Sequence, residues 1–151
     1  MVKKDSVYTE IEINATREQV WSVLTDFEKL IEWSTSFKNL EVEGEFKTDA
    51  KAISTYFGLL KGHDMTFDHH LIEVVDGFSF GWGDPLGIAG LSDHHIFKLE
   101  ELSNGNTKFI QTDTLSGHSR LLKYLMTNNM DSQYKAFNKQ LKKRVETLFP
   151  R

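Results

Sequence analysis

Cysteine is absent from the 151 residues. Disulfides, thiolate metal sites and cysteine nucleophiles are therefore excluded. The absence also fits a reducing compartment. No stretch approaches the ~18 consecutive apolar residues of a membrane helix, so stable membrane insertion is not expected. The opening Met1–Ser6 lacks the apolar region of a signal peptide, and a cytoplasmic protein is the expectation. There is no excess of basic charge. The formal net charge of −4 gives no general attraction to nucleic acid. Repeats, linkers and low-complexity tracts are missing as well.

Aromatic residues are plentiful: 11 Phe, 4 Tyr and 3 Trp. Such a chain is not a disordered one. With 39% apolar residues it has enough for one real core, and its length suits a single domain over 1–151. The charge is unevenly spread. Residues 117–151 hold 8 Lys or Arg against 2 Asp or Glu, whereas residues 1–116 hold 10 against 20. This reads as a cationic helix lying on an acidic body; the alternative is a basic helix for a membrane surface or a partner.

Residues 6–14 alternate, with Val7, Ile11 and Ile13 opposite Glu10, Glu12 and Asn14, as in a half-buried strand. Thr16-Arg-Glu-Gln19 is a capping-box pattern, and Val20, Val23, Leu24 and Phe27 follow at helical spacing. A short second helix runs from Asp26 to about Glu32. Strand-like runs lie at 36–46, 48–58, 63–75, 77–83, 92–102 and 106–116, separated by Gly44, Gly58 to Gly62, Asp76-Gly77 and Ser103–Asn106. The last segment is a long helix on which Met130, Tyr134, Phe137, Leu141, Val145 and Leu148 draw one stripe. Thr127–Asn129 is a point where it kinks or breaks. Consecutive strands joined by short turns imply an antiparallel sheet, and the helix stripe must bury itself on that sheet.

This order resembles the SRPBCC superfamily, the START or Bet v 1-like helix-grip fold, and most closely its small bacterial polyketide cyclase/dehydratase-like members. The resemblance is carried by Ile11-Glu-Ile-Asn-Ala15, Val20-Trp21, Leu24-Thr-Asp-Phe27, Glu32-Trp33, Phe80-Gly-Trp82, His95-Ile-Phe97-Lys-Leu99, and Thr107, Gln111, Asp113, Leu115 and Gly117. It spans residues 6–148. It implies an α+β fold: a curved seven-stranded antiparallel sheet around a long C-terminal helix, two short helices after strand 1, and a cavity between sheet and helix. Family members bind lipids, sterols, polyketides, quinones or plant hormones, and some are enzymes. The fold alone does not choose among these.

Strand parity places side chains. In 92–102 the odd positions, Asp93, His95, Phe97 and Leu99, point inward, and His94 points outward. In 106–116 the inward face holds Thr107, Phe109, Gln111, Asp113 and Leu115, with Ile110 arguing mildly against it. In 63–75, Met65, Phe67, His69 and Leu71 share a face; in 77–83, Phe78, Phe80 and Trp82 do. A loop at 103–105 pairs His95 with Asp113, and a loop at 104–106 leaves them diagonal. Either register lets imidazole and carboxylate approach. The contact raises the His pKa and lowers that of the Asp unless burial dominates.

The expected function is binding of a hydrophobic or aromatic small molecule, a lipid, polyketide or quinone-like compound. Phe67, Trp82, Phe97, Phe109, Tyr134 and Phe137 supply the walls, and His69, His95, Gln111 and Asp113 orient polar groups of the ligand. An alternative is a polyketide cyclase/dehydratase-like enzyme with His95 and Asp113 as catalytic candidates. A third is a co-chaperone-like protein-interaction module. No cofactor is expected. No metal centre is expected either: His69-His70 and His94-His95 cannot chelate, because adjacent strand residues face opposite ways. The strand carrying Trp82 also separates His69 from His95 by ~9.5 Å of sheet. Gly83–Gly90 lacks the ending of a phosphate loop and reads as a mobile flap at the cavity mouth.

Overall fold

The computed structural model describes residues 5–58, 60, 62–83 and 90–151. Strand β1 (Ser6–Ile13) leads into helix α1 (Arg17–Leu24) and a 3-10 turn (Phe27–Glu32). Then come β2 (Phe37–Val42), β3 (Lys51–Tyr56), β4 (Met65–Val75), β5 (Ser79–Trp82), β6 (Ser92–Glu101) and β7 (Thr107–Ser116). Helix α2 (Arg120–Leu148) closes the chain. All neighbouring strands pair antiparallel, in the order β1-β7-β6-β5-β4-β3-β2. The α+β helix-grip architecture expected from the element order is the one observed: a curved seven-stranded sheet with α2 packed on its inner face.

Local chemistry sets the boundaries. The Thr16 hydroxyl accepts from the Gln19 N–H at 3.2 Å, and the Gln19 side chain accepts from the Thr16 N–H at 3.0 Å. This reciprocal cap starts α1. Between β6 and β7 the loop is 103–105, closed by Leu102 N–H to Asn106 O at 2.8 Å, with Gly105 at φ 82°. A three-residue hairpin needs a left-handed residue at that place, which glycine supplies without strain. The register that results pairs His95 directly with Asp113.

Several expectations are corrected. The strand expected at 36–46 ends at Val42, and Phe46 instead turns inward, its ring 5.5 Å from Phe80 and 5.7 Å from Phe27. The strand expected at 77–83 begins at Ser79, so Phe78 lies in the preceding turn, exposed, with the Arg17 guanidinium 3.9 Å from its ring centre. Met65, at the start of β4, is exposed too. Helix α2 runs unbroken through 127–129. The Thr127 hydroxyl donates to the Tyr124 carbonyl within the helix, while Asn128 and Asn129 face solvent. The stripe of α2 buries Tyr134, Phe137, Leu141 and Val145, but leaves Met130 half-buried and Leu148 exposed. The flap expected at Gly83–Gly90 lies, for 84–89, outside the described residues.

Among the described residues, no helix is long and apolar enough to cross a membrane. The apolar core joins the inner face of the sheet to α1 and α2. At Gly81 two strands approach closely on the face opposite Phe80 and Trp82. A Cβ there would stand 2.2 Å from the His95 carbonyl oxygen and 2.6 Å from Ile96 Cδ1. Backbone has to move to admit it. Gly81→Ala is therefore expected to destabilise the fold by about 1–3 kcal/mol in urea denaturation, whereas an unchanged midpoint would show that β5 and β6 give way freely.

Candidate functional site

The register lays side chains in rows across the inner face. One row runs Val7, Asp113, His95, Trp82, crossing β1, β7, β6 and β5. The next runs Thr9, Gln111, Phe97, Phe80. Polar residues thus sit side by side in an interior that is otherwise apolar. Helix α2 lies over both rows and sets Tyr134 above the first and Asn138, one turn on, above the second.

Asp113 is the centre. It is 1% exposed. The Tyr134 hydroxyl donates to its Oδ2 at 2.6 Å, and His95 Nδ1 stands 3.8 Å from the same oxygen. Its Oδ1 has no hydrogen-bond partner among the described residues. The Tyr134 ring stacks on His95 with centres 4.7 Å apart and planes 16° from parallel. One helix residue thus both covers the imidazole and binds the carboxylate.

From the far side of the imidazole a second chain of bonds begins. His95 Nε2 donates to Gln111 Oε1 at 2.9 Å, Gln111 Nε2 donates to Asn138 Oδ1 at 2.7 Å, and Asn138 Nδ2 donates to the Thr9 hydroxyl at 3.0 Å. The Thr9 hydroxyl in turn donates to the Gln111 backbone carbonyl at 3.5 Å. With its proton on Nε2, a neutral imidazole turns the Nδ1 lone pair toward Asp113.

Burial lowers the His95 pKa and outweighs the raising effects of Asp113 and Gln111. The approach of the two groups was expected, and burial is what wins. The Tyr134 phenol is pushed well above its usual range by burial, then by Asp113 and by Tyr56. Tyr56, on β3, is raised well above its own by burial, then by Asp93 and Asp113. Both phenols therefore stay protonated, and both remain donors beside the carboxylates.

All the expected site residues but one are buried. Trp82, His95, Phe97, Phe109, Gln111, Asp113, Tyr134 and Phe137 are enclosed between sheet and helix, as is His69 beneath β3, while Phe67 is half-buried at the edge beside Tyr56. Phe97, Phe109 and Phe137 pack against one another at 6.1–6.3 Å. They form an aromatic cluster beside the polar rows, from β6, β7 and α2. His69 does not join His95. The Trp82 indole stands between them, 5.1 Å from one ring and 5.2 Å from the other, and His69 Nε2 bonds Ser54 Oγ at 2.7 Å. His94 points outward, exposed.

Two surface cavities lie away from the Asp113 cluster. One of about 550 Å³ opens on β2, β3 and β4 around Glu41, Lys51 and Asp68, and His69 is the one expected site residue in its lining. One of about 750 Å³ lies between α1 and β2 around Trp21, Leu40 and Asp76. Neither is lined by α2. Sequence reasoning missed Asn138, Thr9 and Ser54 as hydrogen-bond partners and Tyr56 as a neighbour. Two of them carried a signal: Thr9 shares parity with Val7 and Ile11, and Asn138 follows Tyr134 by four residues on the helix.

The lowered His95 pKa fixes a sign. As pH falls below ~6.5 the unfolded chain takes up this proton before the folded one does. The stability contributed by neutral His95 is thus full above ~6.5 and is lost as pH falls through the folded value. Nitrogen-15 NMR of the imidazoles is expected to find His95 as the neutral Nε2–H tautomer at pH 6.5. A ring that titrates above ~6.5 contradicts this geometry.

The family model described as Polyketide cyclase / dehydrase and lipid transport matches residues 4–146. Curated proteins yield no match. Among solved structures, a START superfamily protein from Mycobacterium smegmatis is similar at TM-score 0.72 and 15% identity, covering 95% of this chain and 98% of that one. Ara h 8.0201 is similar at TM-score 0.69 and 14% identity, covering 94% and 97%. DynU16, a protein in the dynemicin biosynthetic locus, is similar at TM-score 0.71 and 17% identity, covering 95% of this chain and 48% of that one. At these identities the likenesses speak to the fold.

Proposed function

The chain belongs to the polyketide cyclase/dehydrase and lipid-transport family, and we propose that it binds a hydrophobic or aromatic small molecule of lipid, polyketide or quinone type where α2 meets the sheet. One observation carries this reading. A buried carboxylate, an imidazole and a phenol converge beside aromatic side chains, and the carboxylate keeps one oxygen unbonded among the described residues. Small-molecule sites have this composition: apolar walls with a few polar groups that fix orientation. An unsatisfied buried oxygen costs about 1–3 kcal/mol. A hydroxyl or enol of the ligand, donating to Asp113 Oδ1, would remove that cost.

The same atoms support a second reading, a cyclase or dehydratase. A neutral imidazole with its Nδ1 lone pair facing inward is a general base for a proton beside a carbonyl, and Tyr134 positions both it and Asp113. In this reading Asp113→Asn loses turnover while ligand still binds, and in the binding reading the same variant changes affinity alone.

Native mass spectrometry of the purified chain, followed by organic extraction, tests binding first. The expected result is a co-purifying apolar molecule, retained less well by Tyr134→Phe. A bare protein mass, together with no rise in Tm against a panel of fatty acids, quinones and aromatic polyketides, overturns the reading.

A further inference from the structure

We propose that Asp93, His95 and Asp113 bind a single divalent first-row transition ion, from the series Mn²⁺ to Zn²⁺, at the inner face of β6 and β7. The three residues arise from two strands by simple parity: Asp93 and His95 are two apart on β6, and Asp113 is directly opposite His95 on β7. Each offers one donor atom, and the three atoms lie within 4.8 Å of one another. An ion at ~2.1 Å from nitrogen and oxygen ligands holds its donors ~3.0–3.4 Å apart. His95 Nδ1 and Asp113 Oδ2 already stand 3.8 Å apart. Side-chain rotations closing the trio by about an ångström complete the set.

The electron pairs argue for a cation. His95 spends its Nε2 proton on Gln111, which leaves Nδ1 as an acceptor facing the carboxyl groups. Asp113 Oδ1, in a side chain 1% exposed, has no hydrogen-bond partner among the described residues. One imidazole nitrogen and two carboxylates thus bring a donor atom each to within 4.8 Å of one another. Imidazole with carboxylates suits the divalent ions from Mn²⁺ to Zn²⁺. The surroundings are those of an outer shell: Gln111 fixes the tautomer of His95, and Tyr134 orients Asp113. Such outer contacts hold metal ligands in place. Three protein ligands leave an open position for an oxygen from water or from a bound molecule. The expectation of no metal centre rested on the histidine doublets and on the separation of His69 from His95, and neither arrangement chelates here; this trio uses one histidine and two carboxylates.

The site shares its residues with the proposed pocket but does not need the pocket's ligand. The probe is therefore the metal alone, and failure here leaves the binding reading standing. The full chain, stripped with chelator and dialysed, is titrated with Co²⁺ and followed by visible d–d absorption. One ion per chain is expected. Asp93→Asn and Asp113→Asn should each weaken binding at least ~10-fold, while His70→Gln and His94→Gln leave it unchanged. Asp113 is buried, so Asp93→Asn, at a half-buried position, decides the matter if Asp113→Asn does not fold by circular dichroism. In the unsubstituted chain, Zn²⁺ should shift the His95 Nδ1 resonance. No saturable Co²⁺ binding overturns the proposal. So does binding that survives Asp93→Asn, or binding that disappears with His70→Gln or His94→Gln.

Discussion

A carboxylate inside an aromatic core must be answered by its neighbours, and Asp113 is that carboxylate. Isolated from water, such a group is among the most costly things a fold can bury. Here the Tyr134 hydroxyl reaches it from the helix and His95 approaches from the adjacent strand. Because Tyr134 belongs to α2, the bond that answers the carboxylate also pins helix to sheet. One turn along, Asn138 is held between Gln111 and Thr9 and does the same. Aromatic packing alone permits a helix to slide or rotate by small amounts at little cost. Two polar links with fixed geometry remove that freedom, since a shifted helix leaves several buried groups unbonded at once.

Those links also decide the character of the site. The imidazole stays neutral because burial outweighs the nearby carboxylate, and the phenols stay protonated because burial and carboxylates act together. The interior therefore offers acceptors and donors in a definite arrangement rather than a loose pair of charges. A ligand or ion entering it meets an environment already set, which is how a site keeps its orientation without spending binding energy on ordering side chains.

The fold was legible because its periodicities were strong and its turns explicit. The alternation of 6–14, the capping box at Thr16–Gln19 and the hairpin after β6 depend on neighbours in sequence; the first two took the form read from them, and the hairpin took the first of the two registers left open. Errors came where tertiary packing overruled local pattern: Phe46 left its expected strand for a place among Trp21, Phe27 and Phe80, and Thr127 stayed helical by bonding its own helix. The meeting of His95 and Asp113 was likewise readable, since parity and one short loop suffice. Asn138 and Tyr56 were not. Their parts depend on the rotation of α2 and on how β3 comes round to face β6, and neither is encoded in the spacing of one segment. What binds is harder still: the family supplies a fold and a class of small molecules, and in the proposed reading the polar groups of Asp113, His95 and Tyr134 do the choosing.

A double-mutant cycle between Asp113 and Tyr134, by urea denaturation of the unsubstituted chain, Asp113→Asn, Tyr134→Phe and the pair, tests the central claim most directly. If this bond joins helix to sheet, the coupling is about 1–3 kcal/mol. A coupling within ~0.3 kcal/mol of zero would mean that the two side chains do not depend on each other, and that the carboxylate is answered by something else.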